Sequence, residues 1–190
     1  YAQLTVLFNG DEESQSAGSG EMIATLAAEN DTVLSYEPTP AKAVAKAEGV
    51  LLAAAGTGTV TLKVKGRSSH AGAAPEEGRN ALMELAHQLL QTADITKSIP
   101  GAQLNWTQAE TGSVRNQIPD HATATADLRL TATDAAAKLQ TALDAKAHDH
   151  KIPDRQASYS MLIGLPPYVG VARTHALRSE EHTSELQSRG

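Results

Sequence analysis

The 190-residue chain has no cysteine. That absence excludes disulfides, thiolate zinc sites and a cysteine nucleophile, and it leaves any metal to histidine, aspartate and glutamate. It does not fix a redox compartment. Long apolar runs are also missing: none approaches the roughly 18 residues that a membrane-crossing helix needs, so no membrane partner is expected. Positive charge is sparse and scattered. With 16 Lys and Arg against 22 Asp and Glu, the formal charge is -6 and no basic run occurs. A nucleic-acid surface needs a clustered positive face, so no nucleic-acid partner is expected either. There is no internal repeat, and the alanine-rich stretch 133–147 reads as an ordinary helix.

What remains is a chain with 41% hydrophobic and 20% charged residues, enough for one or two cored domains and too apolar for disorder. Its charge suits a small-molecule or peptide partner. The chain opens on Tyr1, so a signal peptide, if there is one, would lie upstream, and cytoplasm and periplasm both stay open. Residues 178–189, RSEEHTSELQSR, resemble the conceptual translation of a sequencing-library adaptor. Residues 178–190 are therefore expected to be a non-native tail, and His175 and His182 are not taken as ligands.

The run from Gln3 to Phe8 predicts a strand buried on both faces, Glu21 to Ala28 a helix, and Thr32 to Tyr36 a second strand. Strand, helix and strand in that span make a βαβ unit with parallel strands. Asp11, Glu12 and Glu13 then follow the first strand and Glu37 follows the second. Ligands bind along that edge in open α/β sheets. Gly56–Gly58 reads as a linker.

Beyond it, the β-branched alternation of Thr59 to Lys65 predicts a half-exposed strand. A helix is expected over 75–92, strands near 102–109 and 122–130, a helix over 133–148 and a strand over 156–163. In the first helix Ala81, Leu82, Leu85, Leu89 and Leu90 are expected to form the buried stripe. The order β-α-β-β-α-β is the ferredoxin-like pattern, an antiparallel sheet with two helices on one face. The expected organisation is a partial α/β domain over 1–58, a ferredoxin-like α+β domain over 59–164, and a return segment over 165–177.

Adjacent glutamates can divide two tasks at a metal, one coordinating the cation while the other deprotonates water. Glu37, at the end of a parallel strand, is within plausible reach of the same cation. Further on, Gly66-Arg-Ser-Ser-His70 is a strand end and turn, and Asn116-Gln-Ile-Pro119 precedes Asp127-Leu-Arg129.

Together and in this order, DEE, YEP, GRSSHAGAAPEEGRNA, NQIP and ADLR resemble the di-zinc aminoacylase/carboxypeptidase family of metallopeptidases, over Tyr1 to about Leu165. The most specific part is Ser69-His-Ala-Gly-Ala-Ala-Pro75 with Asn80-Ala81. The resemblance implies a zinc-peptidase α/β domain followed by a ferredoxin-like lid that dimerises, and two Zn2+ ions per subunit in the intact protein. It implies Glu12 as the general base, and Glu13 and Glu37 as ligands to the two metals. It implies His70 as an oxyanion-stabilising residue reaching the partner subunit's site. It implies Asn116 and Arg129 as substrate-binding residues, the arginine gripping a terminal carboxylate. The family's remaining ligands have no counterpart here, so the fragment alone is expected to be inactive. Glutamate conjugates, N-acyl amino acids and dipeptides all carry the carboxylate that Arg129 would bind. The non-enzymatic alternative, a dimerisation or interaction module, leaves His70, Asn116 and Arg129 without a role.

Overall fold

Val60, Leu62 and Val64 alternate with Thr61, Lys63 and Lys65, and that period of two gives a strand with one buried face. In the computed structural model, which describes residues 4–14, 16–35, 53–172 and 176, this strand is one of the two inner strands of a four-stranded sheet. The chain divides between Leu51 and Leu52 into two units.

In the second unit the strands are β1 (Ala53–Ala54), β2 (Gly56–Lys65), β3 (Ser69–His70), β4 (Ala102–Thr111), β5 (Gln117–Ile118), β6 (His121–Leu130), β7 (Gln156–Leu165) and β8 (Tyr168–Val169). Helix α1 (Gly20–Ala28) belongs to the first unit, and α2 (Ala81–Thr92) and α3 (Ala135–Ala147) to the second. The main sheet has the order β4-β6-β2-β7 with every pairing antiparallel. This is the ferredoxin-like topology that the sequence pattern predicts. Both helices pack on one face, where Leu62, Leu85, Leu128, Leu139 and Leu143 are all but fully buried. Each such leucine contributes about 1.5–3 kcal/mol. The opposite face is polar: Thr57, Thr59 and Thr61 of β2 lie beside Arg129, Asp127 and Thr125 of β6.

Three local expectations change. Gly56–Gly58, read as a linker, are the first residues of β2. A side chain at Gly56 would strike the Pro167 backbone at 2.5 Å, and one at Gly58 the Leu162 carbonyl at 2.7 Å, so glycine lets the neighbouring chain approach closely. The helix expected from Pro75 is broken. Pro75–Glu77 is a separate 3-10 turn, Gly78 is extended, and α2 starts where the Asn80 side chain accepts a hydrogen bond from the Met83 N–H at 3.2 Å.

The buried stripe of α2 is also rotated. Ala81 and Leu85 are buried and Leu89 is half-buried, as expected, but Leu82 is 45% and Leu90 80% exposed. Glu84, Gln88 and Thr92 take the inward positions because each finds polar partners there. The Glu84 carboxylate accepts from the backbone N–H groups of Lys151 and Ile152, both at 2.8 Å, and from Gln88 Nε2. Gln88 Oε1 accepts from the Tyr159 hydroxyl at 2.7 Å.

In the first unit α1 forms where expected. Leu4–Phe8 and Thr32–Ser35, the described parts of the two expected strands, are extended chain rather than β-strand, and Phe8 is 93% exposed. Parallel strands need sheet neighbours and helical cover on both faces.

Candidate functional site

The acidic triplet splits into two kinds of residue. Asp11 closes the loop that leads into α1: its carboxylate accepts from the Gly18 and Ser19 N–H groups at 2.7 and 2.9 Å and from the Ser19 hydroxyl. The Ser19 hydroxyl and Gly18 amide hold its carboxyl below the usual aspartate range. Glu12 and Glu13 stand on the following 3-10 turn, Glu12–Ser14, and are exposed. Glu37 lies outside the described residues, as does the tail 178–190. Among the described residues no three His, Asp or Glu side chains gather as a metal site. Two adjacent exposed carboxylates fall short of the three or four ligands of a zinc site, so the described residues do not fit the metal by themselves.

His70 and Asn116 come together. After β2 the chain passes Gly66, where a side chain would collide with the Arg79 carbonyl, so glycine is required for the close approach of the two segments. Gly66 N–H donates to the Asp120 carbonyl at 2.7 Å, and Arg67 and Arg79 exchange backbone hydrogen bonds at 3.0 and 2.8 Å. These contacts fix the ribbon in which His70 of β3 pairs with Gln117 of β5. Ala71 N–H donates to the Asn116 carbonyl at 2.8 Å. An open cleft of about 290 Å³ results, lined by Ser68, Ser69, His70, Asn116 and Gln117. Among the described residues the Asn116 side-chain amide has no hydrogen-bond partner, so its donors and acceptor are available to a ligand. A wider cleft of about 390 Å³ adjoins it, with Asp120 and His121 in its lining. The His121 ring beside Asp120 holds that carboxyl below its ordinary range.

Arg129 is elsewhere. It stands on the polar face of β6, opposite Thr57 and Gln103, eight residues along the strand from His121 at the ribbon end. At about 3.4 Å per residue that is roughly 27 Å. Its guanidinium is held by Asp127, Nε to Oδ2 at 2.9 Å and Nη2 to Oδ1 at 3.2 Å, with both side chains about half exposed. Sequence reasoning did not single out Asp127, although strand alternation puts residues i and i+2 on one face. It also missed the turn after His70: the ring Nδ1 accepts from the N–H groups of Gly72 and Ala73 at 3.2 and 3.0 Å.

The second unit defines an α+β domain of ferredoxin-like topology with a histidine–asparagine cleft at one end of its sheet. Residues 52–155 match the peptidase dimerisation domain of M20 peptidases, and the chain belongs to that family. It is similar to carboxypeptidase G2 of Pseudomonas sp. (strain RS-16), with 38% identity over 168 residues, 88% of this chain and 40% of that protein. A p-aminobenzoyl-glutamate hydrolase homolog of Haemophilus influenzae is 39% identical over 67 residues, 35% of this chain and 16% of that protein. The chain thus spans well under half the length of these relatives. Among solved structures, aminopeptidase PepT of Bacillus cereus aligns with TM-score 0.54 and 21% identity over 72% of this chain and 36% of that one. A hydantoinase/carbamoylase family amidase of Burkholderia ambifaria aligns with TM-score 0.53 and 23% identity over 63% and 30%. These two likenesses establish the fold.

Proposed function

We propose that this chain is part of a dimeric hydrolase that cleaves the amide bond to a C-terminal amino acid, glutamate in the first instance, with an active site shared between two subunits. The observation that carries the reading is the separation within the lid. His70 and Asn116 stand at one end of the sheet and Arg129 roughly 27 Å along it. The scissile amide and the terminal carboxylate of one amino acid are only a few ångströms apart, so one lid cannot offer both ends of its sheet to one substrate. Two lids related by a two-fold axis can.

In this reading Arg129, kept in place by Asp127, grips the substrate carboxylate with its remaining N–H donors. His70 and Asn116 of the other subunit donate hydrogen bonds to the oxygen of the tetrahedral intermediate, a contribution of about 3–4 kcal/mol per donor in such sites. Glu12 takes the proton of the attacking water. Two zinc ions per subunit belong to the complete enzyme in this proposal. Glu13 and Glu37 would give one ligand to each, and the others would come from residues beyond those described.

Dimerisation is proposed through α2 and β4. Leu82, Met83 and Leu90 are exposed on one side of α2, and β4 is the sheet edge nearest that helix, with unpaired backbone groups along it. A second copy covers both at once by pairing β4 with β4 and α2 with α2. Substrate class is tested with acyl-glutamate amides in the full-length enzyme. Free-carboxylate substrates are expected to be hydrolysed at least about 10²-fold more efficiently than their α-methyl esters, through loss of the charged bidentate contact. Equal rates would remove Arg129 from the site.

A further inference from the structure

We propose that the backbone N–H groups of Gly72 and Ala73 hold His70 in its Nε2–H tautomer before any substrate arrives, so that the ring can act only as a hydrogen-bond donor through Nε2. The inference deepens the oxyanion role given to His70 above and rests on that reading for its functional meaning, though not for its structural content.

An amide N–H donates and never accepts, and two of them point at Nδ1, from Gly72 at 3.2 Å and Ala73 at 3.0 Å. Nδ1 must therefore present its lone pair. In the neutral ring the proton is then on Nε2. The geometry is that of a helix N-cap: a side chain accepts from the amides two and three residues on, and the His70 carbonyl closes the turn by accepting from Ala74 N–H at 3.0 Å. The turn cannot drift, because Ala71 N–H is tied to the Asn116 carbonyl and His70 is in register with Gln117. The ring, its tautomer and the neighbouring Asn116 amide are thus set by one backbone framework. The consequence is chemical. With Nδ1 engaged and Nε2 protonated, the ring has no free lone pair, so it neither takes a proton from water nor binds a metal in this state. Gly72 and Ala73 are positioning residues acting through their amides.

The test is nitrogen NMR on the 15N-labelled chain at pH about 8.5, two units above the ordinary histidine value of about 6.5. Seven histidines are present, and the His70 signals are assigned as those missing in His70→Gln. The expected result is Nε2 as the protonated nitrogen by at least about ten to one over the other tautomer, with scalar couplings across the hydrogen bonds from the Gly72 and Ala73 amides to Nδ1. Gly72→Ala retains both amides and puts its methyl in ordinary contact with the ring at 3.7 Å, so it should leave the spectrum unchanged. Ala73→Pro deletes one donor and should lower the tautomer ratio. A protonated Nδ1, or the absence of both couplings, overturns the proposal. An enzyme that shows the Nε2–H tautomer but loses no activity in His70→Ala would instead overturn the oxyanion role and leave this inference standing.

Discussion

The Glu84 carboxylate, fully buried on α2, lies 3.0 Å from Nε of Arg155 at the foot of β7. Burial alone would raise its pKa. Gln88, the Ile152 and Lys151 amides and Arg155 outweigh that and hold it below the ordinary value of 4.5. A carboxyl depressed in the folded state adds stability above its unfolded pKa and loses it as the pH falls through the folded value. Acid unfolding is therefore expected to gain a component that sets in below about pH 4.5. Glu84→Gln removes that component and strands Arg155, at about 3–5 kcal/mol near neutral pH. Urea midpoints of the two proteins between pH 7 and pH 3 check this. Parallel pH curves would show that Glu84 does not drive the acid transition.

Tyr159 belongs to the same network at the alkaline end. Its burial, beside Trp106 with ring centroids 6.2 Å apart, pushes the hydroxyl up to about 12. A phenol whose pKa is raised by folding contributes stability that is full below about pH 10 and is lost as the pH rises towards 12. Absorbance titration should show a late tyrosine phase that disappears in Tyr159→Phe. The substitution also deletes the hydrogen bond to Gln88 and should cost about 1 kcal/mol. A titration with no late phase would contradict the buried placement.

The exposed leucines of α2 give a test of association. Leu82→Glu with Leu90→Glu puts charge on the proposed contact without touching the core, so the fold should persist, with an unfolding free energy within about 0.5 kcal/mol of the parent's once the share contributed by association is set aside. Sedimentation of the chain should show dimers for the parent sequence and monomers for the double variant. An unchanged dimer would move the interface elsewhere.

The ferredoxin-like domain was legible because its strands alternate strongly and its order admits few topologies. Val60-Thr-Leu-Lys-Val64 carries its inward and outward faces in plain view. The buried face of α2 was not legible. Leu82 and Leu90 obey helical spacing as well as Leu85 does, and only tertiary partners, the Lys151 and Ile152 amides and Tyr159, decide that Glu84 and Gln88 turn inward. The strands expected in the first unit are not formed over Leu4 to Phe8 or Thr32 to Ser35, because strand composition does not by itself set strand pairing. At the site, the meeting of His70 and Asn116 in one cleft depends on the ribbon register, and the hold on Nδ1 depends on backbone conformation, so neither is written in residue types.

The shared site is tested most directly by mixing two disabled full-length enzymes that carry this sequence, His70→Ala and Glu12→Gln. Each alone should lose at least about 10²-fold in kcat, the scale of a lost oxyanion donor or general base. If His70 serves the neighbouring subunit, each mixed dimer holds one site with both lesions and one intact site. Random exchange makes about half of the dimers mixed, so activity should recover to roughly a quarter of the parent value. Mixtures that demonstrably exchange subunits and stay inactive would contradict the account, because His70 would then serve its own subunit or only the fold.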